Sequence, residues 1–69
     1  MSLEQLLGKR IVELREGKEW TQEKLAAEAG IAPRHLQQIE HGKRWPRAAT
    51  LRKLAKAFKI EPEDILRGI

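Results

Sequence analysis

The stretch PRHLQQIEHG, residues 33–42, gathers Arg34, His35, Gln37, Gln38 and His41 around two apolar residues, Leu36 and Ile39. These polar groups donate and accept hydrogen bonds, and nothing around them makes a reactive set. Cysteine is absent, and the one serine is Ser2, at the start of the chain. No pair of carboxylates stands opposite a histidine, and no glycine-rich run is present to cradle a phosphate. His35 and His41 are six residues apart, which does not bring both to one helix face as metal ligands. Enzymatic, metal and cofactor chemistry therefore lack their parts. What the stretch offers is recognition through polar contacts.

Charge narrows the partner. The formal net charge is +4, unevenly placed. Met1–Ile31 carries five basic and six acidic residues, a balance of −1; Ala32–Ile69 carries nine and four, a balance of +5. A basic half-surface favours a polyanion, with nucleic acid first in line. A lysine- and glutamate-rich solubilising surface would show the same counts. The 69 residues are read as one domain spanning residues 1–69, with no room for a separate ligand-sensing unit. A chain of this size buries only about 60% of its unfolded surface, so its core must be economical. With no cysteine, no apolar run near the roughly 20 residues of a membrane span and no signal peptide, a soluble cytoplasmic protein is expected.

The elements that must position these side chains are helical throughout. Strand alternation is missing, and apolar residues recur at three- and four-residue steps. Leu3, Leu6, Leu7, Ile11 and Leu14 mark a first helix, capped by Ser2 with Gln5 completing a capping box and ended by Gly17. Thr21 caps a second, with Leu25, Ala26 and Ala29 inward, and Gly30 fits the left-handed position that ends it. A third starts at Pro33, turns Leu36 and Ile39 inward and stops at Gly42. Pro46 keeps KRWPR irregular. A fourth runs from about Ala48 with Leu51, Leu54, Ala55 and Phe58 inside, and Pro62 opens a short fifth that packs Ile65 and Leu66 back. The expected fold is all-α, with five short helices and no sheet.

Between the second and third helices, small Ala26 stands where the two must approach, Gly30 turns the chain and Ile31 plugs the gap beneath. That is a helix-turn-helix pattern, which leaves one helix protruding with its outer face free. Such a helix fits the B-DNA major groove, about 12 Å wide. From Leu7 to Leu66, with TQEKLA, AGI, QQIE, GK and LRKLAKAF in order, the chain resembles the phage repressor/Cro-type helix-turn-helix family of bacterial regulators. The resemblance implies a lambda-repressor-like fold and a sequence-specific regulator of transcription. It implies a repressor, bound as a homodimer to a two-fold symmetric operator in double-stranded DNA.

The same resemblance distributes roles over this chain. Arg34, His35, Gln37 and Gln38 would read bases. Glutamine pairs bidentately with adenine and arginine with guanine, so the residue types agree. Thr21, Gln22, Lys43, Arg44 and Arg47 would hold the DNA backbone. Arg15 and Glu40 are charges on apolar stripes, four residues after Ile11 and Leu36, and are expected to pair across the first and third helices. Ile60, Ile65, Leu66 and Ile69 crowd the C-terminal end and are the expected dimer contact.

Two features depart from the family. Ala32 replaces the usual side-chain cap of the third helix, and Pro33 occupies a position that often contacts a base. Trp20 is expected in the core. Trp45 is left open between packing over the core, a dimer contact and stacking near a sugar-phosphate, with packing ahead. A second function class is an antitoxin or adaptor that holds a partner protein, a toxin or a co-regulator. The polar surface of the third helix favours DNA over it.

Overall fold

A computed structural model of the chain describes residues 1–67 and residue 69. Five helices follow one another: α1 (Leu3–Gly17), α2 (Gln22–Ala29), α3 (Pro33–Glu40), α4 (Ala48–Phe58) and α5 (Pro62–Leu66). No strand occurs among the described residues. Each boundary has a local cause. The Ser2 hydroxyl accepts from the Gln5 N–H at 3.1 Å while Gln5 Oε1 accepts from the Ser2 N–H at 2.9 Å, the reciprocal box expected of this pair. Gly30, at φ 70°, ends α2 in the left-handed region where glycine has no Cβ to clash.

α1 ends at Gly17 as expected, and the left-handed residue of the turn that follows is Glu19, at φ 59°. This turn serves Arg15, whose carbonyl accepts from the Lys18 N–H at 3.0 Å and the Trp20 N–H at 3.2 Å. It also aims the Trp20 carbonyl at Arg15 Nη1, 2.8 Å away.

Leu7, Ile11, Leu25, Leu36, Ile39, Leu54 and Ile65 are fully buried, one or more from each helix, so a single core joins all five. Trp20 is half-buried against that core and stacks on Phe58 at 6.2 Å between ring centroids. Leu66 is exposed, contrary to its expected packing against the core, because it holds the last position of a one-turn helix; Leu3, at the start of α1, is exposed as well.

α3 is clamped at its C-terminal end. A Cβ on Gly8 would stand 2.5 Å from the Glu40 carbonyl oxygen and 2.6 Å from that of Ile39, so α1 meets the end of α3 backbone to backbone. Gly42, at φ 73°, turns the chain over the first turn of α1, where a Cβ would lie 2.9 Å from the Gln5 Cα. The expected ion pair sits beside this contact. Arg15 Nε donates to Glu40 Oε2 at 2.8 Å and Nη2 to Oε1 at 3.2 Å; the two side chains are 14% and 1% exposed. Gln22 Nε2 adds a third bond to Oε1, at 2.7 Å. The buried carboxylate is thus answered from α1 and α2 together.

Removing one partner of a buried pair strands the other charge and commonly costs about 3–5 kcal/mol. A core this small supplies roughly that much in total. Glu40→Ala is therefore expected to unfold the domain near room temperature or lower its melting point sharply. Thermal melting followed by circular dichroism checks it, and a curve superimposable on wild type would sink the argument.

Candidate nucleic-acid interface

With Leu36, Ile39 and Glu40 buried, α3 turns its remaining faces outward. Arg34, Gln37, Gln38 and His41 fall at steps of three, one and three, a stripe along one side of a helix. Together with Lys43 they line one open cleft. Donors and acceptors in this cleft are side-chain amides, an imidazole and two cations. That set matches base edges and phosphate oxygens rather than an apolar ligand. Lys43 follows the helix, its N–H tied to the Gln38 carbonyl at 2.9 Å, so its position is fixed relative to Gln38.

The four residues expected to read bases do not share one surface. Arg34, Gln37 and Gln38 do. His35 instead lines a second cleft with Arg44, Trp45, Arg47 and Thr50, on the side of α3 that faces the start of α4. His41, which is not among the expected base-reading residues, lines the cleft with Arg34, Gln37 and Gln38. The step of seven from Arg34 to His41 was the signal in the sequence.

The two residues at the start of α2 have structural duties as well. Thr21 Oγ1 accepts from the Lys24 N–H at 3.1 Å, which caps α2. Its own hydroxyl proton stays available to an acceptor. Gln22 gives one amide N–H to Glu40 and keeps the second. α3 has no side-chain cap at Ala32, as its residue type requires, and Pro33 supplies its first position. Among the described residues no cluster of three metal-ligating side chains occurs, and no helix is long and apolar enough to cross a membrane.

The expected dimer patch needs correction. Ile65 has 0% of its surface exposed and belongs to the core of its own chain, because α5 turns that face onto α1 and α4. Ile60 and Ile69 are half-buried against the core. Leu66, 38% exposed, is the member of the patch that faces outward. Sequence reading also missed Arg10. Its Nη2 donates to the Asp64 carbonyl at 3.0 Å and its Nε to that of Ile65 at 3.3 Å, holding the end of α5 on α1.

A helix-turn-helix family model matches residues 11–65. The chain belongs to the helix-turn-helix family of DNA-binding transcriptional regulators. It is 32% identical over 66 residues to an uncharacterized HTH-type transcriptional regulator of Sinorhizobium fredii, covering 96% of this chain and 86% of that protein. It is 38% identical over 60 residues to the HTH-type transcriptional repressor RghR of Bacillus subtilis, covering 86% of this chain but only 44% of that repressor. Among solved structures, the restriction-modification controller protein C.AhdI of Aeromonas hydrophila superposes with a TM-score of 0.87 at 34% identity. The match covers 90% of this chain and 94% of that one. The lambda-repressor-like, five-helix architecture expected from the sequence is the one found.

If the Thr21 hydroxyl is the cap of α2, Thr21→Ala costs about 1 kcal/mol. For a domain of this size the melting midpoint would fall by about 4–8 °C. Thr21→Ser should restore most of the loss. Equal melting points for all three proteins would remove the capping role.

Proposed function

We propose that this domain represses transcription by binding a two-fold symmetric operator as a homodimer, with α3 of each copy in the major groove. The observation that carries the reading is the Arg34–Gln37–Gln38–His41–Lys43 cleft on the outer side of a helix whose inner side is locked into the core. Gln37, Gln38 and Arg34 read base edges in this scheme. Lys43, Arg44 and Arg47 hold phosphates, joined by the Thr21 hydroxyl and the second amide N–H of Gln22. His35 serves the backbone side. In this scheme the protein acts on nucleoid DNA in the cytoplasm. Repression is supported by the likeness to the Bacillus subtilis repressor.

One recognition helix covers only a few base pairs, too little to define a unique site. Two half-sites about one helical turn apart, roughly 34 Å, supply the rest. Self-association through Leu66, with the half-exposed edges of Ile60 and Ile69, leaves both copies of α3 free, because none of the three lines the reading cleft. Duplexes selected from a random pool should carry an inverted repeat with two protomers bound. A single unrepeated half-site holding a monomer would reject the dimer.

Reading and holding have different signatures. Gln38→Ala should cost about 1–3 kcal/mol on the selected duplex and relax one base pair per half-site, leaving scrambled DNA nearly untouched. Lys43→Ala should weaken both duplexes and make the log–log salt dependence shallower by about 0.9 per lost phosphate contact. Salt titrations of both variants on both duplexes check this. Equal loss on the two duplexes for Gln38→Ala would mean α3 does not read sequence, and would bring forward the reading as an antitoxin or adaptor holding a protein partner.

A further inference from the structure

The cleft beside the reading face contains a side chain that the core does not use. Trp45 is 44% exposed, whereas the other two aromatic residues, Trp20 and Phe58, are stacked together at the core. An indole is the largest apolar group a small domain has to bury, so leaving one half in water forgoes stabilisation that this chain could use. Its position is nonetheless fixed. Pro46, the next residue, is fully buried. Before it, the end of α3 is tied by the bond from the Lys43 N–H; after it, the Leu51 N–H donates to the Arg47 carbonyl at 3.0 Å and starts α4. A loop anchored at both ends thus presents an exposed aromatic.

The surroundings select a ligand chemistry. Arg44 and Arg47 flank Trp45 in the chain and line the same cleft, with His35 and Thr50 completing it. No carboxylate lines it, and neither arginine forms an ion pair among the described residues. Arg34 lines the reading cleft and His35, the next residue of α3, lines this one, so the two clefts lie on neighbouring faces of the same helix.

We propose that Trp45 packs its indole on a deoxyribose of the strand bordering the major-groove contact, while Arg44 and Arg47 bind the phosphates on either side of that sugar. The order cation, aromatic, cation along the loop matches the order phosphate, sugar, phosphate along a strand. The contact rests on the DNA-binding reading and extends it to a sugar, a group that carries no sequence information. Trp45 is in this view a sequence-independent anchor that fixes how deeply α3 sits in the groove.

The test uses the full chain, a duplex selected from a random pool and a scrambled duplex of equal length. Trp45→Ala should weaken binding to both by about five- to tenfold, at the low end of what aromatic contacts to nucleotides contribute. Its salt slope should match wild type because no charge is lost, whereas Arg47→Ala should flatten the slope by about 0.9. Trp45→Phe should retain most of the affinity. The tryptophan emission that differs between wild type and Trp45→Phe should be quenched when duplex is added. Melting point and sedimentation without DNA should be unchanged in Trp45→Ala. Unaltered affinity, a lowered melting point or a changed oligomeric state would each overturn the proposal, the last two in favour of a packing or self-association role. Failure of DNA binding itself would look different: wild type would then bind neither duplex, and Gln38→Ala and Lys43→Ala would be silent too.

Discussion

The buried carboxylate of Glu40 is the point on which this small fold turns. It accepts two bonds from Arg15 on α1 and one from Gln22 on α2, and it lies in the last residue of α3. A carboxylate taken out of water is costly unless its lone pairs are met, and here no buried side-chain polar atom among the described residues lacks a partner. An apolar contact of the same volume could match its contribution to stability. It could not match its direction. Three bonds at fixed angles set the rotation of α3 about its own axis, and that rotation decides whether Gln37 and Gln38 face outward. The Gly8 approach fixes the distance, and the ion pair fixes the angle.

The same economy shows in the backbone. Glu19 and Lys59 both take left-handed conformations without being glycine, each at a cost of roughly 1–2 kcal/mol. They flank Trp20 and Phe58, the stacked pair at the edge of the core. Strain sits where the chain must turn sharply to bring two rings together, and the rings recover apolar burial in exchange. Arg10 plays a comparable part for α5, whose five residues are too few to hold a helix alone. Its guanidinium donates to the carbonyls of Asp64 and Ile65 in the last turn of α5.

Most of the fold was legible because its signals are local or periodic. Ser2, Thr21, Gly30, Pro33, Pro46 and Pro62 mark boundaries by their own backbone chemistry, and the three- and four-residue steps of Leu and Ile mark inner faces. The Arg15–Glu40 pair was legible for the same reason, as two charges at positions where apolar residues belong. The misses are contacts between distant segments. Nothing local tells Gly8, a helix-interior glycine, that the end of α3 will rest on it. Arg10 looks like any surface arginine until α5 arrives. Ile65 and Leu66 are adjacent and equally apolar, and only the rotation of a one-turn helix separates a core residue from an exposed one. The family resemblance groups His35 with Gln38, but the two line different clefts on α3.

The helix starts carry a last consequence. α1 and α5 open with acidic residues and caps, Glu4 after Ser2 and Asp64 bonded back to the Glu61 N–H. α3 and α4 open with neither an acidic residue in the first turn nor a side-chain cap. A capping aspartate at residue 32 or 47 would gain about 1 kcal/mol by meeting orphan N–H groups and the helix dipole. It would also set a fixed negative charge beside Arg34 or between Arg44 and the start of α4, where phosphates would have to come. Repulsion there would oppose the attraction those arginines supply. α2 differs: it keeps Glu23 in its first turn although Thr21 and Gln22 open the same helix, so the pattern holds for α3 and α4 alone. The starts of α3 and α4 go without a side-chain cap, and α3 is held instead at its far end, by a carboxylate that is 1% exposed.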